Sequence, residues 1–415
     1  MEVRILRGTK EIGGSCVEVS SGGERIILDI GLPLDTKEAD VSMIPEIKGI
    51  LQKTGDLKGV IVSHYHQDHS GLLPFIDQSI PVAMGTAARN IMNAGAYFQK
   101  KDYTLKDYTP LENQKTIYMG KFKITPYIVD HSAYDAYALL IEADGKKLFY
   151  SGDLRAHGRK AKLFDQLLYR VPKGVDCMLL EGSSLGRLNE ESTFQTEDEI
   201  EDKLIDEFHK SKGVALVVVS GQNIDRIVSL YRAAKRTGKE LVLDPYVVES
   251  LRATGNEKIP QYNWPHIKIY IPEWERAHIA KTRKFDLLED YKSNRVFLDY
   301  IEKNARNIVM FFRPSMTMDL EQQPETMQKA SCIYSMWEGY LFDETGMQLR
   351  EFLDKYKIGM SFIHTSGHAD IPTLKKLVEA LNPKQVIPIH TFEAEKYPDL
   401  FPNVAIKQDG EWFSV

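Results

Sequence analysis

One short segment carries most of the recognisable chemistry in this sequence. Residues 63–71 read Ser-His-Tyr-His-Gln-Asp-His-Ser-Gly and come directly after an apolar Gly-Val-Ile-Val run. His64 and His66 are two residues apart, so in an extended loop they can point to one side and bind a metal ion through their imidazoles. Asp68 and His69 stand at the entry to a predicted helix and can serve a second ion. The spacing therefore predicts a site for two metal ions.

Three more candidate ligands follow predicted strands. They are His131 after Ile-Thr-Pro-Tyr-Ile-Val, Asp153 after Leu-Phe-Tyr-Ser-Gly, and His390 after Val-Ile-Pro-Ile. Because a sheet delivers its strand ends to a common edge, we expect these side chains to meet. Asp153 can bridge two ions, since its carboxylate offers two oxygens. Asp29 follows Ile-Ile-Leu and can accept a hydrogen bond from a ligand imidazole.

These candidates divide into two ligand groups with Asp153 between them. We predict that three imidazoles hold one ion and that a mixed group holds the other, namely His64, His66 and His131 for the first and Asp68, His69 and His390 for the second. A nitrogen-rich set favours Zn²⁺, so we predict two zinc ions per chain, and the carboxylates would also accept Mn²⁺.

The order of predicted elements indicates an α/β protein. The first part is rich in antiparallel sheet, because apolar runs joined by Gly-Gly and later by Asp-Gly predict two hairpins. Further along, strands alternate with amphipathic helices, which is typical of a doubly wound parallel sheet. We predict a first domain that is interrupted by an insertion, with the first domain at 1–200, the inserted doubly wound domain at 201–345 and the return to the first domain at 346–415.

Composition and charge exclude several classes of protein. The 415 residues are 43% hydrophobic and 27% charged, which is the composition of a globular chain rather than a disordered or fibrous one. No apolar stretch is long enough to cross a bilayer, and the first residues do not have the pattern of a signal peptide. The net charge of −6 argues against a protein that binds polyanions nonspecifically over its whole surface. The three widely spaced cysteines are typical of reduced thiols, so we expect a cytoplasmic protein with no membrane contact.

The ligand candidates, in this order and at these strand ends, resemble the metallo-β-lactamase superfamily. The later part of the chain is similar to its β-CASP branch, whose members are nucleases of RNA or DNA. Glu181, His368 and His390 look like the three additional motifs of that branch, and the phrase His-Thr-Ser-Gly-His-Ala around His368 is similar to that of ribonuclease J. The resemblance implies an αββα metallo-β-lactamase sandwich with an inserted β-CASP domain, and it implies a homodimer.

The resemblance also implies an activity. We expect a metal-dependent phosphodiesterase that hydrolyses single-stranded RNA in the cleft between the two domains, with a water activated by two metals. The predicted catalytic residues are Asp68, Glu181 and His368. His368 would contact the scissile phosphate or protonate the leaving oxygen, and Glu181 would fix its tautomer. This pairing requires the two side chains to lie within the reach of one bridging water.

Candidate substrate contacts come from two loops. Ser366 and Gly367 offer a hydroxyl and backbone N–H groups for a phosphate, and His364 either contacts substrate or is a partly buried turn histidine. Asn223 and Arg226 begin a predicted helix whose N-terminus can face a phosphate, with a plain loop as the alternative.

A stretch at 276–295 interleaves basic and aromatic residues. This pattern is typical of a surface that follows single-stranded RNA, but the acidic residues within it also fit an ordinary solvated helix face.

Other functions share many of these features. A DNA nuclease or repair factor of the same branch would carry the same ligands. A non-catalytic RNA-binding subunit would have lost ligands, and here no ligand position is missing. A small-molecule hydrolase such as a lactamase would have no evident use for the insertion or for Glu181 and His368.

Overall fold

The computed structural model of the protein describes residues 1–34, 36 and 39–415. Its strands are β1 (Glu2–Arg7), β2 (Cys16–Ser21), β3 (Glu24–Leu28), β4 (Leu57–Ile61), β5 (Val82–Gly85), β6 (Thr109–Leu111), β7 (Ile117–Met119), β8 (Phe122–Ile128), β9 (Tyr137–Ala143), β10 (Lys146–Tyr150), β11 (Cys177–Glu181), β12 (Ala215–Val218), β13 (Glu240–Leu243), β14 (Ile267–Tyr270), β15 (Arg295–Val296), β16 (Ile308–Phe311), β17 (Ser331–Tyr334), β18 (Gly359–Phe362), β19 (Val386–Ile389) and β20 (Trp412–Ser414).

The α-helices are α1 (Gln67–Ser70), α2 (Thr86–Phe98), α3 (Lys162–Arg170), α4 (Glu197–Lys210), α5 (Ile224–Arg236), α6 (Pro245–Ala253), α7 (Glu273–Thr282), α8 (Asp286–Tyr291), α9 (Leu298–Lys303), α10 (Thr317–Glu321), α11 (Glu344–Lys355), α12 (Ile371–Leu381) and α13 (Tyr397–Leu400). Short 3-10 helices span Val41–Met43, Leu73–Phe75, Ala305–Asn307, Pro314–Met316, Pro324–Met327, Glu338–Phe342 and Ala394–Lys396. Among the helices of the described residues, none combines the length and apolar character needed to cross a membrane.

The chain forms two compact units. The first unit contains Met1–Asn93, Tyr103–Phe194 and Gly367–Val415, and the second contains Ala94–Asp102 and Gln195–Ser366.

Two sheets form the centre of the first unit. Their strand orders are β20-β1-β2-β3-β4-β5-β6 and β19-β11-β10-β9-β8-β7. The antiparallel pairs β2–β3 and β9–β10 confirm the two predicted hairpins. The last strands of the unit join its first elements, because β20 pairs with β1 and β19 pairs with β11.

Alternating side chains on the second sheet serve two buried clusters. Leu139 and Ile141 of β9 face a core that also contains apolar residues of the first sheet. Leu140, between them, points to the opposite face and belongs to a cluster with Leu167 of α3 and Leu374 of α12. The period of two along the strand thus packs one face against a sheet and the other against helices. With the first sheet and its helices, this is the predicted αββα sandwich.

The second unit has one seven-stranded sheet in the order β15-β14-β13-β16-β12-β17-β18, and every neighbouring pair is parallel. Helices alternate with these strands, which confirms the doubly wound insertion. The helix starts follow from local sequence: Thr196 and Glu199 form a reciprocal capping box at α4, and Asp244 caps α6. The fold class predicted from the sequence is therefore confirmed.

The return from the insertion lies later than the predicted residue 346. Strand β18 pairs in parallel with β17, with Cys332 opposite Met360 and Tyr334 opposite Phe362. These backbone hydrogen bonds make β18 an edge strand of the inserted sheet, and the first unit resumes at Gly367.

Candidate metal centre

The predicted ligands lie where strands of the first unit end. His64 and His66 come after β4, and the short helix α1 carries Asp68 and His69. The remaining polar residues also stand at strand ends, with His131 after β8, Asp153 after β10, Glu181 as the last residue of β11 and His390 after β19.

These side chains assemble into three overlapping groups, in each of which the possible ligand atoms lie within 4.8 Å of one another. The groups are His64, His66 and His131; Asp68, His69, Asp153 and His390; and Asp153, Glu181 and His368. Together they include every predicted ligand and all three predicted catalytic residues. We call this assembly the metal centre.

Asp153 lies at the middle of the centre. Its Oδ2 atom is 3.1 Å from Nε2 of His69 and 3.7 Å from Nε2 of both His64 and His390. The same oxygen is 3.7 Å from Nδ1 of His368. One carboxylate therefore faces members of both ligand groups, which is the placement that a bridging ligand needs.

The ligand atoms are buried but incompletely hydrogen-bonded. Among the described residues, Nε2 of His64, His69 and His390 and both carboxylate oxygens of Asp153 have no hydrogen-bond partner in suitable geometry. Burying such atoms is unfavourable unless another partner satisfies them. Imidazole nitrogens with shared carboxylates are the donors that Zn²⁺ and Mn²⁺ accept, so the residues present fit such a metal.

Asp29 orients two of the imidazoles. Its Oδ2 accepts a hydrogen bond from Nδ1 of His69 at 2.7 Å and others from Tyr150 Oη at 2.6 Å and Ser63 Oγ at 2.8 Å. Ser63 Oγ in turn lies 3.1 Å from Nδ1 of His64. Because the Nδ1 atom of His69 donates to Asp29, its Nε2 lone pair is left for a metal.

Sequence reasoning did not find the contacts that orient the other rings. His131 Nδ1 donates to the carbonyl oxygen of Gly367 at 2.5 Å, although we predicted a substrate contact for Gly367. Ser15 Oγ lies 2.9 Å from Nδ1 of His390. The partners are 236 and 375 positions apart in sequence, so no local motif links them. The one available signal is that Ser15 stands in a Gly-Gly-Ser turn before β2.

Burial keeps most of the imidazoles in their neutral form. It lowers the pKa of His64 and His131 well below the usual value, lowers the pKa of His66 to about 4 and also lowers the pKa of His390. A neutral imidazole is the form that binds a metal ion.

His69 and His368 behave differently because they face carboxylates. Burial opposes their charged forms, but Asp153 and Asp29 raise the pKa of His69, and Glu181 and Asp153 raise the pKa of His368. Nδ1 of His368 is 3.3 Å from Oε2 of Glu181. The distance that the predicted pairing required is therefore met without a bridging water.

The backbone of the centre adopts conformations that side chains rarely tolerate. Asp29 and His390 both have left-handed φ values, 56° and 54°. Such conformations are costly outside glycine and cluster at functional sites. Gly31 has a different constraint, since a Cβ there would lie 1.8 Å from the carbonyl oxygen of Asp68. Glycine is thus required where the first hairpin meets the ligand loop.

Arg226, which we predicted as a substrate contact at the start of α5, does not present its guanidinium to solvent. Its side chain is fully buried in the second unit and donates to Glu197 through Nε at 3.1 Å and through Nη2 at 2.9 Å. Its Nη1 is directed at Ser335. Because Glu197 neutralises the guanidinium inside the unit, Arg226 has a structural role.

The other predicted substrate contacts have defined local environments. Asn223 caps α5 by accepting a hydrogen bond from the N–H of Arg226 at 3.1 Å. His364 is half-buried and donates from Nδ1 to the carbonyl oxygen of Ser335 at 3.2 Å, and Ser366 is also half-buried.

Two regions of the chain match known protein families. Residues 42–201 match the beta-lactamase superfamily domain. Residues 355–397 match a domain described as the Zn-dependent metallo-hydrolase RNA specificity domain. The first match contains most of the ligands, and the second contains His364 and His368.

Relatives are similar along most of the chain at low identity. A ribonuclease J of Helicobacter pylori is 20% identical over 407 residues, which cover 94% of this chain and 56% of that protein. An RNase J-like protein of Methanocaldococcus jannaschii is 33% identical over 159 residues, which cover 35% of each chain. This chain therefore spans little more than half the length of the first of these relatives.

A solved structure shares the fold over the full chain. It is a protein of unknown function from Enterococcus faecalis V583, with a TM-score of 0.80 and 20% identity, covering 100% of this chain and 99% of that one.

The fold, the candidate ligand groups and these matches support the metallo-β-lactamase superfamily and its β-CASP branch. The chain is similar to the ribonuclease J proteins at low identity.

Proposed function

We propose that this chain is a metal-dependent phosphodiesterase that hydrolyses single-stranded RNA. The observation that carries the proposal is the metal centre itself, in which two ligand groups share Asp153 and the pair of His368 and Glu181 lies beside them. The similarity to ribonuclease J proteins supports RNA as the substrate.

The proposed cofactor is a pair of Zn²⁺ ions, with Mn²⁺ as the alternative. One would be held by His64, His66 and His131, the other by Asp68, His69 and His390, with Asp153 shared between them. When bound, such ions supply Lewis acidity for activating water and for the charge that develops on the phosphate oxygens.

His368 is the proposed general acid. Its Nδ1 faces Oε2 of Glu181 at 3.3 Å, which favours a proton on the ring and fixes the ring plane. The opposite nitrogen, Nε2, would then deliver a proton to the leaving oxygen of the substrate. Glu181 is held in turn by the backbone N–H groups of Leu154 at 3.1 Å and Ser183 at 3.2 Å. Glu181 is thus a positioning residue that acts through His368.

Substrate contacts are proposed for the stretch next to His368 and for one helix start. His364, Ser366 and Gly367 lie within four positions of His368 in the sequence, and this adjacency supports the proposal. Asn223 would contact substrate from the start of α5. We also propose a homodimer, which sedimentation analysis of the full chain tests.

Cleavage of a single RNA tests this function. The RNA is labelled in one sample at its 5′ end and in another internally, and it is compared with DNA of the same sequence in the presence of Zn²⁺ or Mn²⁺. We expect metal-dependent cleavage of the RNA, and the sizes of the products distinguish attack from an end from internal cuts.

Two variants serve as controls. Asp68→Ala removes a ligand of the second group and should abolish cleavage, whereas Asp165→Ala removes an exposed carboxylate on α3 of the same unit and should leave it unchanged. Cleavage of the DNA alone would favour a DNA nuclease of the same branch. If neither polymer is cut by a chain that has bound both metals, the proposal is wrong.

A further inference from the structure

Two segments of the second unit come together at the ends of α2 and α7. Tyr97 Oη lies 2.8 Å from Thr282 Oγ1, and His278 Nε2 donates to the carbonyl oxygen of Tyr97 at 3.0 Å. The ammonium group of Lys284 lies 4.0 Å from the centroid of the Tyr97 ring. Residues 97–102 and 281–286 therefore form one continuous surface.

This surface carries a group of exposed cations, which we call the basic patch: Lys100, Lys101, Lys281, Arg283 and Lys284. None of the five forms an ion pair with any residue that the structure describes. At the ends of two other helices of this unit, by contrast, Lys210 pairs with Glu207 at 2.8 Å and Arg236 with Glu201 at 3.1 Å. The basic patch differs from these helix ends in having five cations close together and none of them ion-paired within the described part of the chain.

The charge of the patch runs against that of the whole molecule. The chain has a net charge of −6, yet within the two segments five cations face only Asp102 and Asp286 as carboxylates. Aromatic rings are interleaved with the cations. The Lys100 ammonium group lies 5.9 Å from the centroid of the Trp274 ring, and Phe285 is 52% exposed. Cations for phosphates beside aromatic faces for bases are the combination that binds single-stranded nucleic acid.

The backbone conformation at two positions of the patch decides which substitutions can test it. Lys100 and Arg283 both have a φ of 57°, in the left-handed region where the ends of helices usually carry glycine or asparagine. Glycine would serve the fold better at both positions, because it takes this conformation without strain. Glycine substitutions at these two positions therefore remove charge without adding backbone strain.

We infer that the basic patch is an accessory binding surface for single-stranded RNA on the second unit. Lys100, Lys281, Arg283 and Lys284 neutralise successive phosphates, and Phe285 offers a face for stacking a base. This inference rests on the proposed ribonuclease function and deepens it, because it assigns RNA contacts to residues that belong to neither the metal centre nor the loop around His368.

The test is a binding measurement in which charge is removed and backbone strain is relieved together. The patch variant combines Lys100→Gly, Arg283→Gly and Lys284→Ala in an Asp68→Ala background, so that the RNA is not consumed. A fluorescent 25-nucleotide unstructured RNA is titrated at several salt concentrations. We expect the affinity of the patch variant for this RNA to fall about 10-fold to 100-fold at 0.1 M salt. The magnitude of the slope of log K against log salt should fall by about 2, because each lost contact with a single-strand phosphate removes about 0.7 from it.

A matched control removes three cations from the ion-paired helix surfaces of the same unit. The control variant carries Lys210→Ala, Lys303→Ala and Lys355→Ala, which changes the net charge equally. We expect its RNA affinity to stay within about twofold of the parent chain. The thermal midpoint of the patch variant should not fall, because its two glycine substitutions relieve left-handed strain. In the Asp68 wild-type background, the patch variant should cleave a five-nucleotide RNA at the parent rate and the 25-nucleotide RNA more slowly.

The outcomes separate the two proposals. If the parent chain cleaves RNA and the patch variant binds it with unchanged affinity and slope, the accessory surface is wrong and the nuclease function stands. A partner of another kind, such as an acidic protein, would give that same unchanged RNA binding. If the parent chain neither binds nor cleaves RNA, both proposals fall.

Discussion

Each of the two units buries a cluster of charged side chains, and the two clusters differ in how completely their polar atoms are satisfied. In the second unit, Glu197 accepts two hydrogen bonds from Arg226 and a third from Ser229 Oγ at 2.8 Å. In the first unit, both oxygens of Asp153 and three imidazole nitrogens around it lack such partners among the described residues. A buried pair with complete hydrogen bonds stabilises a unique packing, whereas buried polar atoms without hydrogen-bond partners are available to a ligand.

The largest effect should come from the unsatisfied cluster. Asp153→Asn replaces a shared carboxylate with an amide that binds metals poorly, so we expect loss of both ions and a fall in RNA cleavage of at least about 10³-fold. The unfolding free energy of the metal-free variant should fall, because the charged Asp153 stabilises protonated His69 and His368 and is stabilised by them. Metal content, cleavage rate and denaturation with a chelator present check this. Retention of both ions by the variant would remove Asp153 from the ligand set.

The satisfied cluster should respond in stability alone and not in metal content. Glu197→Ala leaves the buried Arg226 guanidinium without its partner and should cost about 3–5 kcal/mol of unfolding free energy, with metal content unchanged in the folded chain. Three of the four tryptophans, Trp264, Trp274 and Trp337, lie in the second unit, so tryptophan fluorescence in urea follows this transition.

A double variant sharpens that result. Glu197→Leu with Arg226→Met replaces the pair by apolar side chains and should recover most of the lost stability. If the double variant is as unstable as Glu197→Ala, the ion pair contributes more free energy of folding than is lost by burying its two charges.

Asp29 tests whether the orienting contacts matter as much as the ligands. Asp29→Asn retains a side chain that tolerates the left-handed backbone, but it weakens the hydrogen bond to His69 Nδ1. We expect metal affinity to fall about 10-fold to 100-fold with the fold intact. Competition with a chromogenic chelator measures it, and an affinity equal to that of the parent chain would limit Asp29 to a structural role.

The smallest expected effect comes from two glycine-to-alanine variants, which distinguish backbone strain from crowding at the metal centre. Gly152 and Gly145 both have positive φ, so the left-handed strain of an alanine should cost about 1 kcal/mol at either position, to which crowding adds at Gly152. Only at Gly152 would the new Cβ crowd the site, 2.9 Å from the Tyr137 carbonyl oxygen and 3.2 Å from Ser63 Cβ. We therefore expect Gly152→Ala alone to lower metal affinity, by roughly threefold to tenfold. Equal affinities for the two variants would show that the site absorbs the added methyl group.

What the sequence could predict was local. The candidate ligands lie in one short segment or shortly after apolar strands, and the pattern that reveals a strand also gives its end, so the grouping of these residues could be predicted from their order. The helix starts at Thr196 and Asn223 could also be predicted, because each capping side chain bonds to a backbone N–H only three residues further on.

The errors arose where the partner is distant in the chain. Nothing near Arg226 indicates that Glu197 neutralises it, and an arginine in the first turn of a helix has the same local pattern whether buried or exposed. Strand β18 has the burial pattern of an edge strand, and only its pairing with β17 assigns it to the inserted sheet. Parallel pairing is a non-local property that apolar periodicity does not encode.

The pairing of β19 with β11 has a consequence for the order in which the protein is made. His64, His66 and His131 leave the ribosome early, but His390 is translated only after the whole inserted sheet, and it is placed by β19 docking beside β11. The inserted sheet has all its strands once Phe362 has emerged. The second unit can therefore fold before the strands that complete the first unit are translated. The second group of candidate ligands is therefore complete only after translation has passed β19, and a nascent chain that stops earlier lacks His390.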